Sequence, residues 1–133
     1  ESSDPKTFTG EATLVRLNYI AYDPGVKAYR VTFQPRARTN WHTHAQNQLL
    51  IILDGVCRLQ TRGNAVTEVT AGDVVTVEGG ERHWHGAGDT GPMTHLALNV
   101  AGHPPFPHVL HEVEMHTTWF EKVTDDEYDA LLP

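Results

Sequence analysis

Residues 41–48 read WHTHAQNQ, and residues 72–87 read GDVVTVEGGERHWHGA. The first segment contains His42 and His44, and the second contains His83 about forty positions later. Side chains two residues apart on an extended strand lie on the same face of that strand. His42 and His44 can therefore direct their imidazoles toward a common point, as ligands of a transition metal do. The pattern predicts a site for a divalent metal ion.

Short runs of residues typical of β-strands recur on both sides of this first segment. In chain order they are TLVRLNYIAY, VKAYRVTF, QLLIIL, VCRLQT, AVTEVT, VVTV and MTHLALNV. Turn sequences such as residues 23–25 and 62–64 separate them. Short strands at a spacing of about 8 to 12 residues indicate an all-β sandwich or barrel and not a parallel sheet with crossover helices. We expect a small antiparallel barrel.

The C-terminal tail is the one segment predicted to be helical. Thr124 precedes the run DDEYDALL, and Thr124 with Glu127 matches the sequence of a capping box. Residues 101–118 contain three prolines, and they also contain four histidines, His103, His108, His111 and His116. Because proline removes hydrogen-bond donors from a sheet, we expect a long connection here, with an edge strand at HVLHEVEM. Three roles stay open for this connection: a lid, a dimer arm, or no function.

Size and charge limit the class of protein. The chain has 133 residues, 10 basic and 17 acidic, with a formal net charge of -7. This length suffices for one domain with a hydrophobic core, and we predict a single domain over residues 1–133. The negative charge opposes nucleic acid and anionic membranes as partners, and the longest apolar run, residues 49–53, is too short to span a membrane. We expect a small-molecule partner and a homodimer or higher homo-oligomer, since small barrels often protect exposed strand edges by pairing.

Cysteine content and the first residues bear on location. Cys57 is the only cysteine, so no internal disulfide forms, and its place in a strand run predicts a core residue. The sequence starts at Glu1 and shows no leader of basic residues followed by apolar ones. It also has no initiator methionine, so it stays open whether a leader was removed. We predict a cytoplasmic protein.

Residues 36–55 resemble the first motif of the cupin superfamily. They carry the His-X-His pair, a ligand position four residues later, and a glycine seven residues beyond it. Residues 72–87 resemble the second motif, with two glycines and a histidine at the expected steps, while Arg36 and Glu78 replace turn residues of the family. The resemblance implies the cupin double-stranded β-helix, a jelly-roll barrel. It also implies four metal ligands, His42, His44, Gln48 and His83.

A narrower resemblance concerns function. ARTNWHTHAQNQ, GERHWHGA, MTHLAL and WFEKVTDDEY are together similar to the small single-domain cupins that include the cupin-type hydroxynitrile lyases. The resemblance implies one divalent ion, with manganese preferred and iron, zinc, cobalt and nickel as alternatives. It implies a lyase that cleaves a cyanohydrin into an aldehyde and cyanide. Neutral imidazole and amide ligands leave the charge of the ion uncompensated, which makes it a stronger Lewis acid.

Further residues are expected around the metal site. We predict His85 and His95 as the acid and base pair, because His85 shares a strand face with His83 and His95 lies on a strand with small neighbours. Two alternatives stay open: His85 orients a ligand imidazole, and His95 is a hydrogen-bonded histidine of the core. The predicted substrate pocket consists of Tyr29, Val31, Trp84, Ala97 and Asn99. The lyase-like sequences have a small residue in place of Tyr29 and glutamine in place of Asn99, so the substrate is open.

Three other functions also stay open. An Fe(II)-dependent dioxygenase would consume oxygen, whereas a lyase would not. A polyketide-type cyclase or dehydratase would use the same Lewis acid on a different substrate. A non-catalytic small-molecule-binding cupin would bind its ligand and release no product.

Overall fold

The computed structural model describes residues 1–17, 26–100 and 117–131. The strands in these ranges are β1 (Phe8–Thr9), β2 (Ala12–Arg16), β3 (Val26–Phe33), β4 (Arg38–Thr39), β5 (His42–His44), β6 (Gln48–Asp54), β7 (Val56–Thr61), β8 (Thr67–Thr70), β9 (Val74–Val77), β10 (His83–Ala87), β11 (Met93–Val100) and β12 (Thr117–Trp119). One helix, α1 (Asp125–Tyr128), follows them. The expected all-β class with a short C-terminal helix is confirmed. The predicted strand HVLHEVEM and the histidines at 103, 108, 111 and 116 lie outside the described residues.

The described strands form two antiparallel sheets. The first has the order β2-β3-β11-β6-β9. The second has the order β1-β4-β10-β5-β12, and β7 pairs with both β10 and β8. Side chains from both sheets share one buried cluster, with Phe33, Leu50 and Ile52 from the first sheet and Cys57 and Leu59 from the second. The core therefore lies between the two sheets, and the predicted core position of Cys57 is confirmed.

Strand β6 shows how the sequence brings a polar group into this core. Leu50 and Ile52 are 0% and 1% exposed, whereas Leu49 and Ile51 on the other face are half-buried. Burial of each inward side chain contributes about 1.5–3 kcal/mol to stability. Because alternate side chains share a face, Gln48 must point inward with Leu50. Gln48 is 3% exposed, so its side chain lies inside the barrel, on the same face of β6 as Leu50.

Two turn positions next to the first motif differ in how they accommodate a left-handed backbone. Gly55 has φ 81°, and a Cβ there would lie 2.2 Å from the carbonyl oxygen of Pro92, so this turn requires glycine. Arg36 has φ 68° although it carries a side chain, at a cost of roughly 1–2 kcal/mol. Its guanidinium donates to both carboxylate oxygens of Asp129 at 3.0 and 3.2 Å and lies 4.7 Å from the centre of the Tyr128 ring. These contacts offset the backbone cost.

Helix α1 begins with the predicted capping box. The Glu127 N–H donates to the Thr124 hydroxyl at 3.1 Å, and the Thr124 N–H donates to the Glu127 carboxylate at 2.9 Å. The helix is one turn long, shorter than the predicted run, because the chain then extends to pair Leu131 with Val66. Tyr128 is fully buried and anchors the turn against the barrel. No described helix has the length and hydropathy that a membrane span requires.

The capping box gives a prediction about stability. Thr124→Ala is expected to lower the free energy of unfolding by about 1 kcal/mol, because the Glu127 N–H in the first turn loses the hydroxyl that accepts its hydrogen bond. Chemical denaturation with urea measures the change. Asp126→Ala in the same turn is the control, since it leaves both hydrogen bonds in place. Equal losses in the two variants would contradict a role for the box.

Candidate metal centre

Strands β5 and β10 bring the two histidine motifs together. His42 and His83 are direct partners in the pairing of these strands, and both are 1% exposed. The His42 ring centre lies 4.2 Å from that of His83 and 4.9 Å from that of His44. The His44 and His83 ring centres are 5.4 Å apart. Three buried imidazoles thus converge from segments about forty residues apart in sequence.

Each of these rings is held by a hydrogen bond at Nδ1. The partners are the Asn40 carbonyl for His42 at 2.9 Å, the Thr117 hydroxyl for His44 at 3.0 Å and the Glu81 carbonyl for His83 at 3.0 Å. A carbonyl oxygen can only accept, so Nδ1 of His42 and of His83 carries the hydrogen, and Nε2 has a free lone pair. An outer acceptor of this kind orients histidines that bind metals. The arrangement prepares these Nε2 atoms for a cation.

The Gln48 side chain lies beside His83. The Gln48 Oε1 lies 3.2 Å from Nε2 of His83. The Nε2 of His44 is buried and has no hydrogen-bond partner among the described residues. A buried nitrogen without a partner is costly, and a cation would satisfy it. The four side chains that the resemblance implies as metal ligands therefore lie near one another.

His85 lies beside the same group. The ligand nitrogens of His42, His83 and His85 all lie within 4.8 Å of one another, so these three residues form a candidate metal triad that contains His85 and not His44. The difference lies in the outer contacts. Nδ1 of His85 and Nε2 of His95 share a hydrogen bond of 3.0 Å, so the partner of His85 is another imidazole and not a fixed acceptor oxygen.

His85 and His95 form a closed pair. They are 5% and 0% exposed, and the edge of the Phe33 ring packs against both, with ring centres 6.0 and 5.3 Å away. The two inner nitrogens share the hydrogen bond, while the outer ones, Nε2 of His85 and Nδ1 of His95, have no partner among the described residues. Since each neutral imidazole has one donor and one acceptor, the pair can accept a proton at one outer nitrogen and release one at the other.

Burial keeps all five imidazoles neutral. It lowers the pKa of His42 and His85 well below the usual value for histidine, with a smaller contribution from neighbouring histidines. Burial lowers the pKa of His44 and of His95 to about 4, and it also lowers the pKa of His83. Neutral imidazole is the form that binds metals and accepts protons. The cluster therefore has the correct protonation for both tasks near neutral pH.

These shifts predict that acid destabilises the metal-free protein. Histidines in the unfolded chain take up protons below a pKa of about 6.5. In the folded chain His44 and His95 take them up only near pH 4. The unfolded state therefore binds more protons between these values, and stability present above pH 6.5 is lost as the pH falls toward 4. The Tm of chelator-treated protein should fall steadily over this range, and a smaller pH dependence is expected for His95→Gln. A Tm that does not change with pH would contradict the neutral cluster.

A cavity of about 520 Å³ opens beside these histidines. Its lining includes four of the predicted pocket residues, Tyr29, Val31, Ala97 and Asn99, and also both His85 and His95. The prediction for Trp84 was wrong. Side chains alternate along β10, so Trp84 points away from its neighbours and lies fully buried in a second cluster with Trp41 and Tyr128.

Several residues of the site were not found from the sequence. Thr117, which holds His44, belongs to β12 and is 73 positions away along the chain. Trp119 on the same strand lines the cavity, with its ring centre 4.7 Å from that of His42. Phe33 shields the histidine pair. No local spacing signals these contacts, because they arise from the pairing of β12 with β5 and from packing across the barrel.

A family model described as a cupin domain matches residues 29–99, more than half of the chain. The chain belongs to the cupin family. Among characterised relatives of this cupin, (R)-mandelonitrile lyase from Granulicella tundricola is 42% identical over 124 residues, which are 91% of this chain and 85% of the lyase. The resemblance to cupin hydroxynitrile lyases is confirmed at this level.

Solved structures agree with the fold of this cupin. A cupin-like protein from Thermotoga maritima superposes with a TM-score of 0.83 and 28% identity, and the match covers 98% of this chain and 92% of that protein. A polyketide cyclase from Streptomyces resistomycificus superposes with a TM-score of 0.59 and 21% identity over 71% of this chain and 68% of the cyclase. The second likeness shows the barrel alone.

Proposed function

We propose that this cupin is a metal-dependent hydroxynitrile lyase, which cleaves a cyanohydrin into an aldehyde and hydrogen cyanide and catalyses the reverse addition. One observation carries the proposal. A buried three-histidine, one-glutamine group lies beside a hydrogen-bonded histidine pair, in a chain that is 42% identical to an (R)-mandelonitrile lyase.

We assign His42, His44, Gln48 and His83 as the ligands of one divalent ion. The unpartnered Nε2 of His44 and the Gln48 oxygen beside His83 support this set. His85 is left out because its Nδ1 contacts an imidazole, whereas each assigned histidine contacts an oxygen. Mixed nitrogen and oxygen ligands suit manganese or iron in six-coordinate geometry, and we prefer manganese, with iron, zinc, cobalt and nickel as alternatives. When bound, the ion supplies the Lewis acidity that stabilises negative charge on the substrate oxygen.

The cavity next to the ligands would hold the organic part of the substrate. Val31, Phe33 and Ala97 present apolar surface there, and Ala97 leaves space over the sheet. Apolar walls exclude water, which strengthens the interactions between charged and polar groups inside the site. A cyanohydrin with an aryl or alkyl group fits such a cavity.

The proton passes through the His85–His95 pair. His85 lies nearer the ligand histidines, so its Nε2 takes the proton of the substrate hydroxyl. The hydrogen on Nδ1 of His85 moves to Nε2 of His95, and Nδ1 of His95 releases its proton to the cyanide that leaves with the electrons of the broken C–C bond. Both imidazoles are neutral before and after the transfer. The low pKa values caused by burial favour this neutral path.

The remaining expectations accompany this proposal. We propose that the protein is one domain, acts in the cytoplasm on a small molecule and forms a homodimer or higher homo-oligomer. Gel filtration with light scattering tests the last of these, because a monomer at micromolar concentration would contradict it.

The proposed activity is tested with mandelonitrile. Protein loaded with Mn²⁺ should release cyanide and benzaldehyde at equal rates in air and under nitrogen, and chelator-treated protein should lose this activity. Oxygen uptake that accompanies turnover would favour the dioxygenase instead. If the metal-loaded protein releases no cyanide, the lyase proposal is wrong.

A further inference from the structure

We infer that Asn99 anchors a hydroxyl group of the substrate, and that the cavity is built for cyanohydrins and aldehydes that carry a second hydroxyl away from the reacting carbon. This inference rests on the proposed lyase function and names its substrate class. The observation behind it is an amide in the cavity wall that makes an incomplete set of hydrogen bonds.

Asn99 lines the cavity and is 8% exposed. Its Oδ1 is buried and has no hydrogen-bond partner among the residues that the structure describes. An unpartnered buried carbonyl destabilises a folded chain, and leucine has nearly the same size without this penalty. Folding alone therefore does not explain an asparagine at this position. A ligand that donates a hydrogen bond to Oδ1 does explain it.

The position of Asn99 separates it from the groups that transfer protons. The inner face of β11 carries His95, Ala97 and Asn99 in that order, so about 13 Å of strand separates the first from the last. On the neighbouring strand β6, Asn99 is in register with Gln48, an assigned metal ligand, and His95 is in register with Ile52. One end of the cavity floor thus has the histidine pair, the middle has a small side chain, and the far end has an amide.

This layout suits a substrate that is polar at two places. The reacting hydroxyl lies between the assigned ligands and Nε2 of His85, and Ala97 leaves space for a carbon skeleton beside it. Tyr29 lies beside Ala97 in the pairing of β3 with β11 and forms the adjacent wall. A second hydroxyl at the far end would donate to Oδ1 of Asn99. A phenol or an alcohol that extends from the reacting carbon satisfies this geometry.

The experiment compares mandelonitrile with 3- and 4-hydroxymandelonitrile in the Mn²⁺-loaded protein. The wild type should have a kcat/KM about tenfold or more higher for at least one hydroxylated substrate. In Asn99→Leu this preference should fall to near unity, and the Tm should rise by about 4 °C because the unpartnered carbonyl is gone. Thr94→Val, a polar-to-apolar change on the outer face of the same strand, is the control and should retain the preference.

Two results would overturn the inference. One is equal kcat/KM for all three substrates in the wild type. The other is an equal loss for all three in Asn99→Leu, which would mean that Asn99 contacts the reacting group or only supports Gln48. The binding of benzaldehyde and of 3- and 4-hydroxybenzaldehyde, measured by calorimetry, separates this inference from the proposed function. If no cyanohydrin is cleaved, the lyase proposal fails, and tighter binding of a hydroxybenzaldehyde that Asn99→Leu abolishes still supports the anchor, whereas equal binding overturns it.

Discussion

Replacing His83 by alanine is expected to remove the bound divalent ion and to lower kcat/KM for mandelonitrile by about 10³-fold or more. The Nε2 of His83 lies at the centre of the predicted ligand group, next to Gln48 and close to His42. Its removal takes away one of the four assigned ligands. Metal analysis of protein purified without added metal, together with the cyanide assay, measures both effects. His42→Ala should behave in the same way.

A control variant on the same strand separates loss of the ion from loss of the fold. Trp84→Phe changes the neighbouring side chain on the other face of β10, where the indole N–H donates to Gln60 at 3.0 Å. This variant should keep the ion and the activity, even if its Tm falls. An ion retained at full occupancy in His83→Ala would show that His83 is not a ligand.

The second large effect is expected at the histidine pair. His85→Gln should lower kcat by about 10²- to 10⁴-fold and leave the metal content unchanged, because the variant loses proton transfer but no assigned ligand. His95→Gln should have a similar effect, since the two imidazoles act through one hydrogen bond. The double variant should therefore be little worse than either single one.

Metal content and rate together test this assignment. If His85→Gln loses the ion, His85 belongs to the ligand set with His42 and His83, as the short distances among these three residues would allow. If kcat falls less than tenfold and the ion is retained, the pair does not transfer the proton, and its hydrogen bond only positions the ligand imidazoles.

The sequence predicted the parts of the site that depend on local spacing. His42 and His44 share a face because they are two apart on a strand. The capping box of α1 was also predicted from the sequence, because its two partners are only three residues apart. The ligand set as a whole came from the resemblance to cupin motifs.

The contacts that complete the site depend on strand pairing. Thr117 reaches His44 only because β12 pairs with β5, and the His85–His95 hydrogen bond joins two different sheets. Nothing in the sequence near His85 indicates that partner. Trp84 was predicted to line the pocket because it lies between two site histidines in the sequence. Side chains alternate along β10, however, so Trp84 points into the other hydrophobic cluster. Proximity in sequence was a poor guide where strand parity decided the direction.

Anomalous diffraction at the manganese edge from crystals grown with Mn²⁺ locates the ion and identifies its ligands. We expect one peak per chain, about 2.0–2.3 Å from Nε2 of His42, His44 and His83 and from Oε1 of Gln48, with Nε2 of His85 outside bonding distance. A peak bonded to His42, His83 and His85 with His44 turned away, or no peak in this group at all, would contradict it.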